Sequence, residues 1–440
     1  MNNLKTKQIK YAATVTSLVL AYLAFGYFID DRTNIIAIWA ALAVCFTLYF
    51  IILKKYNNTF LNDYNFKLAL ALRFVFLFSF PLLSDDIYRF IWDGSQLLNG
   101  INPFAFTPTE LINNNYTWLD VSLFEKMNSP VYYSVYPPIN QLAFSVSAIP
   151  GKGNLVASII ILRLIIIAFD IGNLIIIKKL LAFYNKNPKL LFIYALNPLV
   201  IIEFAGNLHF EAVMIFFSLL SFWFLLQNRW ILAAIALAFA VCAKLLPLIF
   251  LPLFIKQIGF KKSIYAGLIC LVVILTLFLP LIYNINLAQN FVSSIQLYYG
   301  KFEFNGSIYQ VFKQVGWSLL GYNPIAYTSK ILITLTLIGF LISYLKTENI
   351  LVSAFWMLFT YTICGAIVHP WYILFLITLT PFVKWRFAIL WSVLICLSYY
   401  TYHTIPYQES LLLVIIEYIL LFGFIAYEVC FKKLPLKKIY

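Results

Sequence analysis

The chain has 440 residues, 63% of them hydrophobic and only 11% charged, with a mean hydropathy of +0.88. That apolar excess rules out a soluble globular class. The net charge of +14 does not by itself imply a nucleic-acid partner, because its placement along the chain decides its meaning.

Repeated apolar runs of roughly 18–22 residues match the hydrocarbon core of a bilayer and predict an all-α polytopic membrane protein. The first run, Tyr11 to Phe28, is too long for a secretion signal and lacks a small-residue cleavage site, so it reads as a retained span. Helices are expected over 11–29, 34–53, 66–83, 154–182, 189–206, 209–227, 230–244, 246–256, 264–282, 325–345, 350–368, 371–383, 387–401 and 410–430. This is a bundle of about 12–14 transmembrane helices, some shorter than a full crossing, in one integral membrane domain over 1–440. Around Lys244-Leu245-Leu246-Pro247 the proline predicts two half-helices rather than one span.

Two segments are too long to be turns. The first, 84–153, opens with a helical apolar period at Ile87, Phe90, Ile91, Leu97 and Leu98, which predicts a helix lying in the interface. Asn99-Gly100-Ile101-Asn102-Pro103 breaks it. A second interfacial helix is expected between Tyr136-Pro137-Pro138 and Pro150-Gly151. The other long segment, 283–322, is aromatic and polar, with a turn at Asn305-Gly306-Ser307. Cys45, Cys242, Cys270, Cys364, Cys396 and Cys430 lie in or beside apolar runs without metal-ligand spacing, and read as small core residues.

With the N-terminus inside, most basic residues fall on the cytoplasmic side, among them Lys5, Lys7, Lys10, Lys54, Lys55, Lys261, Lys262, Lys384, Arg386, Lys432, Lys433, Lys437 and Lys438. Only Arg32, Arg89, Lys126, Lys152, Lys301, Lys313 and Lys330 fall on the other side. That asymmetry predicts cytoplasmic termini, with both long segments outside. The basic excess then follows from topology and anionic lipid headgroups.

This orientation gathers polar residues at one membrane depth. Asp85, Asp86, Arg89, Asp93, Glu203, Asn207, His209, Glu211, His369 and His403 all fall on the outer side, with Lys244 and Arg163 in the outer halves of their helices. Ionisable groups at such positions are costly unless paired, so the cluster is a candidate site. Each member also has a plain structural reading. Arg89 and Asp93 are spaced to pair along a helix. Asp170 is placed to pair with Arg163 or Arg73, and His403 reads as a loop residue. A carboxylate of the Asp85–Asp86 pair can act as general base toward a hydroxyl, and mutual repulsion raises one of the two pKa values. Lysine, arginine and histidine can steady a departing phosphate. These parts point to sugar transfer from a lipid phosphate.

Asp86-Ile87-Tyr88-Arg89-Phe90-Ile91-Trp92-Asp93-Gly94, then Gly100-Ile101-Asn102-Pro103-Phe104, resemble the GT-C fold glycosyltransferases that use polyprenyl-phosphate sugars. The chain is most similar to their bacterial mannosyltransferase branch, related in layout to the enzyme that adds the first mannose of glycosylphosphatidylinositol anchors. The resemblance extends over about residues 66–385, through Tyr136-Pro137-Pro138, Asn197-Pro198-Leu199 with Glu203, Gly206-Asn207-Leu208-His209-Phe210-Glu211, Ala243-Lys244-Leu245-Leu246-Pro247 and His369-Pro370-Trp371-Tyr372.

The resemblance implies Asp85 or Asp86 as catalytic base in an inverting single displacement. It implies no cofactor and no bound metal, and puts Lys244, His369 and Arg163 near the donor phosphate. The expected enzyme is a hexosyltransferase of the plasma membrane, its site on the external or periplasmic face. Its expected partners are a polyprenyl-phosphate mannose donor, a lipid-linked or envelope glycan acceptor and the bilayer, without nucleic acid. Arg89, Asp93, Tyr136, Glu203, Asn207, His209 and Glu211 complete the expected substrate-binding set. Rival readings are a transporter or lipid flippase, which calls for midplane charges and related halves, and a glycan ligase or polymerase using a diphosphate-linked donor.

Overall fold

The computed structural model describes residues 2–57, 61–114 and 116–431, with side chains for all of these except 2–4 and 297–301. The expected cytoplasmic lysines Lys432, Lys433, Lys437 and Lys438 lie outside the described residues, as does the side chain of Lys301. The described chain is mostly helical, and an isolated bridge pairs Phe304 with Ile367.

In chain order the helices begin with α1 (Asn2–Tyr27), α2 (Ile35–Ile51), α3 (Asn62–Phe74), α4 (Asp86–Leu98), α5 (Pro108–Ile112), α6 (Val121–Lys126) and α7 (Pro138–Ala148). The middle holds α8 (Leu155–Phe183), α9 (Phe192–Ala195), α10 (Pro198–Ile201), α11 (Glu211–Leu226), α12 (Trp230–Ala243), α13 (Leu251–Ile258), α14 (Phe260–Phe278) and α15 (Ile285–Lys301). The chain ends with α16 (Ile308–Leu320), α17 (Ile325–Lys346), α18 (Ile350–Ile363), α19 (Leu374–Leu379), α20 (Phe387–Leu394) and α21 (Leu411–Cys430).

Among the described residues, six helices are long and apolar enough to cross a membrane, or seven if a bent pair counts as one span. That pair is Pro188–Ala195 and Pro198–Gly206, bent by 55°. The protein is therefore an all-α, multi-pass membrane protein. Six of the other expected spans appear as apolar helices of 10–17 residues, such as Glu211–Leu226, Trp230–Ala243 and Ile350–Ile363, whereas the span expected over 66–83 is helical only as α3, Asn62–Phe74. At about 1.5 Å of rise per residue these fall short of a 30 Å hydrocarbon core. Prolines explain several of the interruptions: Pro198, Pro247, Pro370 and Pro381 each open a new α or 3-10 segment inside an apolar run.

The chain forms two compact units. The first comprises residues 1–82, 177–206 and 303–440. Its apolar helices are tied by buried polar side chains that reach backbone left open at helix ends. Arg73 donates to the carbonyls of Ala69 and Ala195 (2.6 and 2.9 Å), and Tyr49 donates to Ile193 (2.9 Å). Glu428, fully buried, accepts from the backbone N–H of Arg386 and of Phe387 (both 3.0 Å), so it caps the start of α20. Glu417 accepts from the Trp391 indole (2.8 Å) and the Asn305 amide (3.1 Å). Asn305 has φ of +50° and forms the turn expected there. The segment 283–322, expected as a long aromatic and polar loop with one turn, folds largely into α15 and α16, whose aromatic residues recur at helical spacing.

The second unit comprises residues 83–176 and 207–302. The expected interfacial helices are present as α4 and α7, and Gly100 (φ +73°) and Gly151 (φ +84°) stand just past them. The two helices pack so closely that Phe90 and Phe144 stack at 4.4 Å between ring centroids. Gly94 permits this approach, because a Cβ there would lie 2.1 Å from the Phe144 carbonyl oxygen. A tight turn joins α11 to α12, with Asn228 left-handed (φ +56°) and the Arg229 N–H bonded to the Phe224 carbonyl at 2.9 Å.

Gly94→Ala is expected to destabilise the protein by about 1–3 kcal/mol, because the added methyl meets backbone that must shift. Gly267→Ala, whose Cβ has only Leu251 Cδ2 at 4.0 Å, should be neutral or slightly stabilising. Melting temperatures of the two variants in detergent check this. Equal melting would show that α4 and α7 are not held at that separation.

Candidate functional site

Helix ends organise the polar residues of the second unit. Asp86 is the first residue of α4 and Glu211 the first of α11, so each carboxylate sits where free backbone N–H groups favour negative charge. Lys244 follows the last residue of α12 in an extended conformation (φ −159°, ψ 137°). A helix C-terminus favours a cation there. Because α11 and α12 form an antiparallel hairpin, the start of one meets the end of the other, and Lys244 Nζ donates to Glu211 Oε1. Glu211 is buried, whereas the lysine side chain is 36% exposed. The break at Leu246-Pro247 stops the chain from running on past this point.

Asp86 is half-buried, and its Oδ1 accepts a hydrogen bond from the Asn128 amide at 3.3 Å. Burial pushes its carboxyl above the ordinary aspartate range. His209 and the Asn128 bond oppose that rise, while Asp85 and Glu211 reinforce it by like-charge repulsion. Asp85 is the N-cap residue of α4, but its side chain makes no capping bond.

Between α10 and α11 the chain turns through Asn207-Leu208-His209. Leu208 has φ of +66° and is fully buried, an uncommon conformation for a branched residue. The Asn207 side chain accepts from the backbone N–H of Leu83 at 3.1 Å, which ties this turn to the approach to α4. His209 follows, buried and electrostatically coupled to Asp86.

Arg89 and Asp93 pair within α4 at 2.6 Å, with side chains only 2% and 0% exposed. Arg89 also donates to the carbonyls of Ser129 and Tyr132, both at 2.9 Å. Asp93 accepts from Ser134 Oγ at 2.5 Å and from the Gln141 amide at 3.2 Å. These two residues, expected in the substrate-binding set, have these bonds committed to the chain between α6 and α7 and to α7 itself. Tyr136 packs edge-on against Phe90 and Phe144. Arg163 is fully buried within α8, two turns from the equally buried Asp170.

Glu203 and His369 belong to the first unit. Glu203 is fully buried in a π-helical turn over Ile202–Gly206 and accepts from the Tyr399 hydroxyl. His369 is half-buried between the rings of Phe304 and Trp371, at 4.5 and 4.3 Å. His403 closes a 3-10 segment and stacks on Tyr400 at 3.9 Å.

The structure thus brings Asp86, His209, Glu211 and Lys244 into one linked set. Asn128, a partner of Asp86 from 42 residues away, was not expected and carries no spacing signal. Among the described residues no group of three or more His, Cys, Asp or Glu is placed to hold a metal ion.

Residues 12–258 match a family model described as alpha-(1->6)-mannopyranosyltransferase, N-terminal domain. Alpha-(1->6)-mannopyranosyltransferase A of Mycobacterium tuberculosis is 29% identical over 170 residues, covering 38% of this chain and 32% of that protein. The Corynebacterium glutamicum protein of the same name is 24% identical over 184 residues, covering 42% and 36%. The chain therefore spans about a third of the length of the curated relatives it matches. With more than half of its residues under the family model, the chain belongs to the bacterial alpha-(1->6)-mannopyranosyltransferase family, a branch of the GT-C glycosyltransferases.

Proposed function

We propose that the protein is a membrane hexosyltransferase that moves mannose from a polyprenyl-phosphate donor to a hydroxyl of a lipid-linked or envelope glycan on the outer face. The observation that carries this is the set at the helix ends: a half-buried Asp86 with a raised carboxyl pKa, coupled to His209, in the same unit as the Glu211–Lys244 ion pair. Family membership supports the sugar and the reaction class.

The step is a single displacement. The acceptor hydroxyl oxygen attacks the anomeric carbon while Asp86 takes the hydroxyl proton. The carbon–oxygen bond to the donor phosphate breaks, and the phosphate leaves with the electron pair, so the configuration inverts. Lys244 meets the charge growing on that phosphate. An ammonium has three N–H donors, so a bond to Glu211 leaves it able to bind a second anion. Asp86 is preferred to Asp85 because its environment holds its carboxyl above the usual range, nearer the working pH of a base.

Asp86→Asn is expected to lower kcat by about 10²–10⁴-fold. Transfer from polyprenyl-phosphate mannose, assayed with purified Asp86→Asn, Asp85→Asn and the double variant, tests the assignment; full activity in all three would falsify it. The base acts only when deprotonated, so activity falls as pH drops through the Asp86 pKa. The acid limb of kcat/KM should therefore lie above the ordinary aspartate range. Asp85→Asn removes a repulsive neighbour and should move that limb to lower pH.

Lys244→Gln is expected to cost about 10²–10³-fold in kcat, and to lower stability because Glu211 is left buried without its cation. Adding Glu211→Gln should restore the melting temperature without restoring transfer. Recovery of transfer in the double variant would reduce the lysine to a structural role.

A further inference from the structure

In the first unit, the ends of two membrane-length helices bring three cations together. α8 has 29 residues, roughly 43 Å at ~1.5 Å per residue, which matches a bilayer with its headgroup layers, about 40–45 Å. Asn185, left-handed at φ +50°, closes the helix, and the N–H of Lys186 bonds the Leu181 carbonyl at 2.8 Å. Lys186 therefore stands at headgroup depth, beyond a helix C-terminus that favours a cation.

The lead-in to α20 lies beside it. Tyr184 packs edge-on against Phe382, at 6.4 Å between ring centroids, and Lys384 and Arg386 follow Phe382 in the chain. Burial, with the like charges of Arg386 and Lys384, holds the Lys186 ammonium below the ordinary lysine range. Glu428, in the last turn of the spanning helix α21, accepts from the backbone N–H groups of Arg386 and Phe387. The three cations are thus level with the ends of both α8 and α21.

Among the described residues, Lys186, Lys384 and Arg386 form no ion pair. Glu428, whose charge acts on Arg386, is fully buried and engaged with the backbone. Glu348, beside the Asn349 that bonds Tyr184, is exposed and pairs with none of the three. The sequence after α21 adds Lys432, Lys433, Lys437 and Lys438 and no acid.

The half-buried Arg386 guanidinium is anchored through one nitrogen. Its Nη1 donates to the carbonyls of Thr380 and Val383, both at 3.1 Å, and of Trp385 at 3.4 Å. Among the described residues Nε and Nη2 donate to no acceptor, so the edge that can grip two oxygens of one phosphate is left over. Membrane topology accounts for exposed, hydrated lysines on one side. It does not account for an ammonium pressed against two like charges, or for a guanidinium fixed with its fork unused.

We propose that Lys186, Lys384 and Arg386 hold the phosphate of an anionic phospholipid, with the Arg386 fork on two of its oxygens and the lysines balancing its charge. Phe183 at the end of α8, and Tyr427 and Phe431 at the end of α21, are exposed apolar rings against which acyl chains can lie. That favours a lipid over free phosphate. A lipid seated there ties the end of α8 to the start of α20, so it raises the melting temperature in proportion to its occupancy.

The test uses full-length protein in a neutral detergent, without donor sugar. Its melting temperature is followed as phosphatidylglycerol is added to the micelles. A saturable rise is expected, with none from phosphatidylcholine or inorganic phosphate. Lys186→Gln and Lys384→Gln should each raise the mole fraction at half-effect about fivefold. Lys261→Gln combined with Lys262→Gln, two exposed lysines in the first turn of α14, should leave it unchanged. Without lipid, Lys186→Gln should melt at or slightly above the parent, because crowding of like charges is relieved. No saturable rise, an equal rise with phosphatidylcholine, or an equal loss in the Lys261 and Lys262 variant overturns the site. An equal rise with inorganic phosphate overturns the lipid as its ligand.

Discussion

A carboxylate and an ammonium meet across the α11–α12 hairpin, and the polar part of the second unit is arranged around that pair. The meeting follows from simple geometry. The helices have similar lengths, 16 and 14 residues, and a left-handed asparagine reverses the chain between them. The first residue of one therefore stands beside the residue that ends the other. Backbone dipoles favour the acid at the helix start and the base at the helix end. Glu211 is buried, so its partner must be supplied by the fold, and the proline-induced stop after Lys244 keeps that partner in place. The partly exposed member of the pair is the lysine, which is the one the proposed reaction uses.

The pair Arg89–Asp93 solves a different problem. Both side chains are almost wholly buried, and breaking such a pair generally costs about 3–5 kcal/mol because a charge is left uncompensated. Their remaining bonds reach Ser129, Tyr132, Ser134 and Gln141, so one ion pair in α4 holds both the connection to α7 and α7 itself. Asn128, which contacts Asp86, is next to Ser129 in that connection. The clamp therefore acts on the carboxylate at a distance: it fixes the segment that supplies its hydrogen-bond partner. Gly94, one residue beyond Asp93, lets α7 approach closely enough for the clamp to close.

Much of this was legible in the sequence wherever a local signal coincided with the structure. The start of α4 after Ser84, its break at Asn99-Gly100, the start of α7 at Pro138 and the interruption at Lys244-Pro247 all rest on caps, prolines and apolar period. The nearness of Glu211 and Lys244 was also readable, because consecutive apolar runs joined by a short turn bring the start of one helix beside the end of the next. The burial of Arg89 and Asp93 was not. Their spacing of four residues fits an exposed pair as well as a buried one, and only the segment 129–141 decides between them. The shortening of several expected spans was hidden for a related reason. Apolar composition continues through Pro198, Pro247 and Pro370, while the helix restarts at each.

Leu208 shows how a local rule is overridden. A left-handed conformation costs a residue with a Cβ about 1–2 kcal/mol, and Gly206 and Asn207 beside it are the residue types that adopt it readily. The strain nevertheless falls on the leucine. Its side chain is completely buried, an apolar gain of about 1.5–3 kcal/mol that offsets the backbone cost. Asn207 is thereby kept out of the left-handed position, and its side chain is used instead to hold the Leu83 N–H, two residues before Asp85. The turn thus links the approach to α4 with the approach to α11 through one hydrogen bond and one strained residue. Relaxing Leu208 would require moving Asn207 or His209, and with them the relation between Asp86 and Glu211. Backbone strain persists where the surroundings over-determine it, and here they do so at the junction of the two carboxylate-bearing helices.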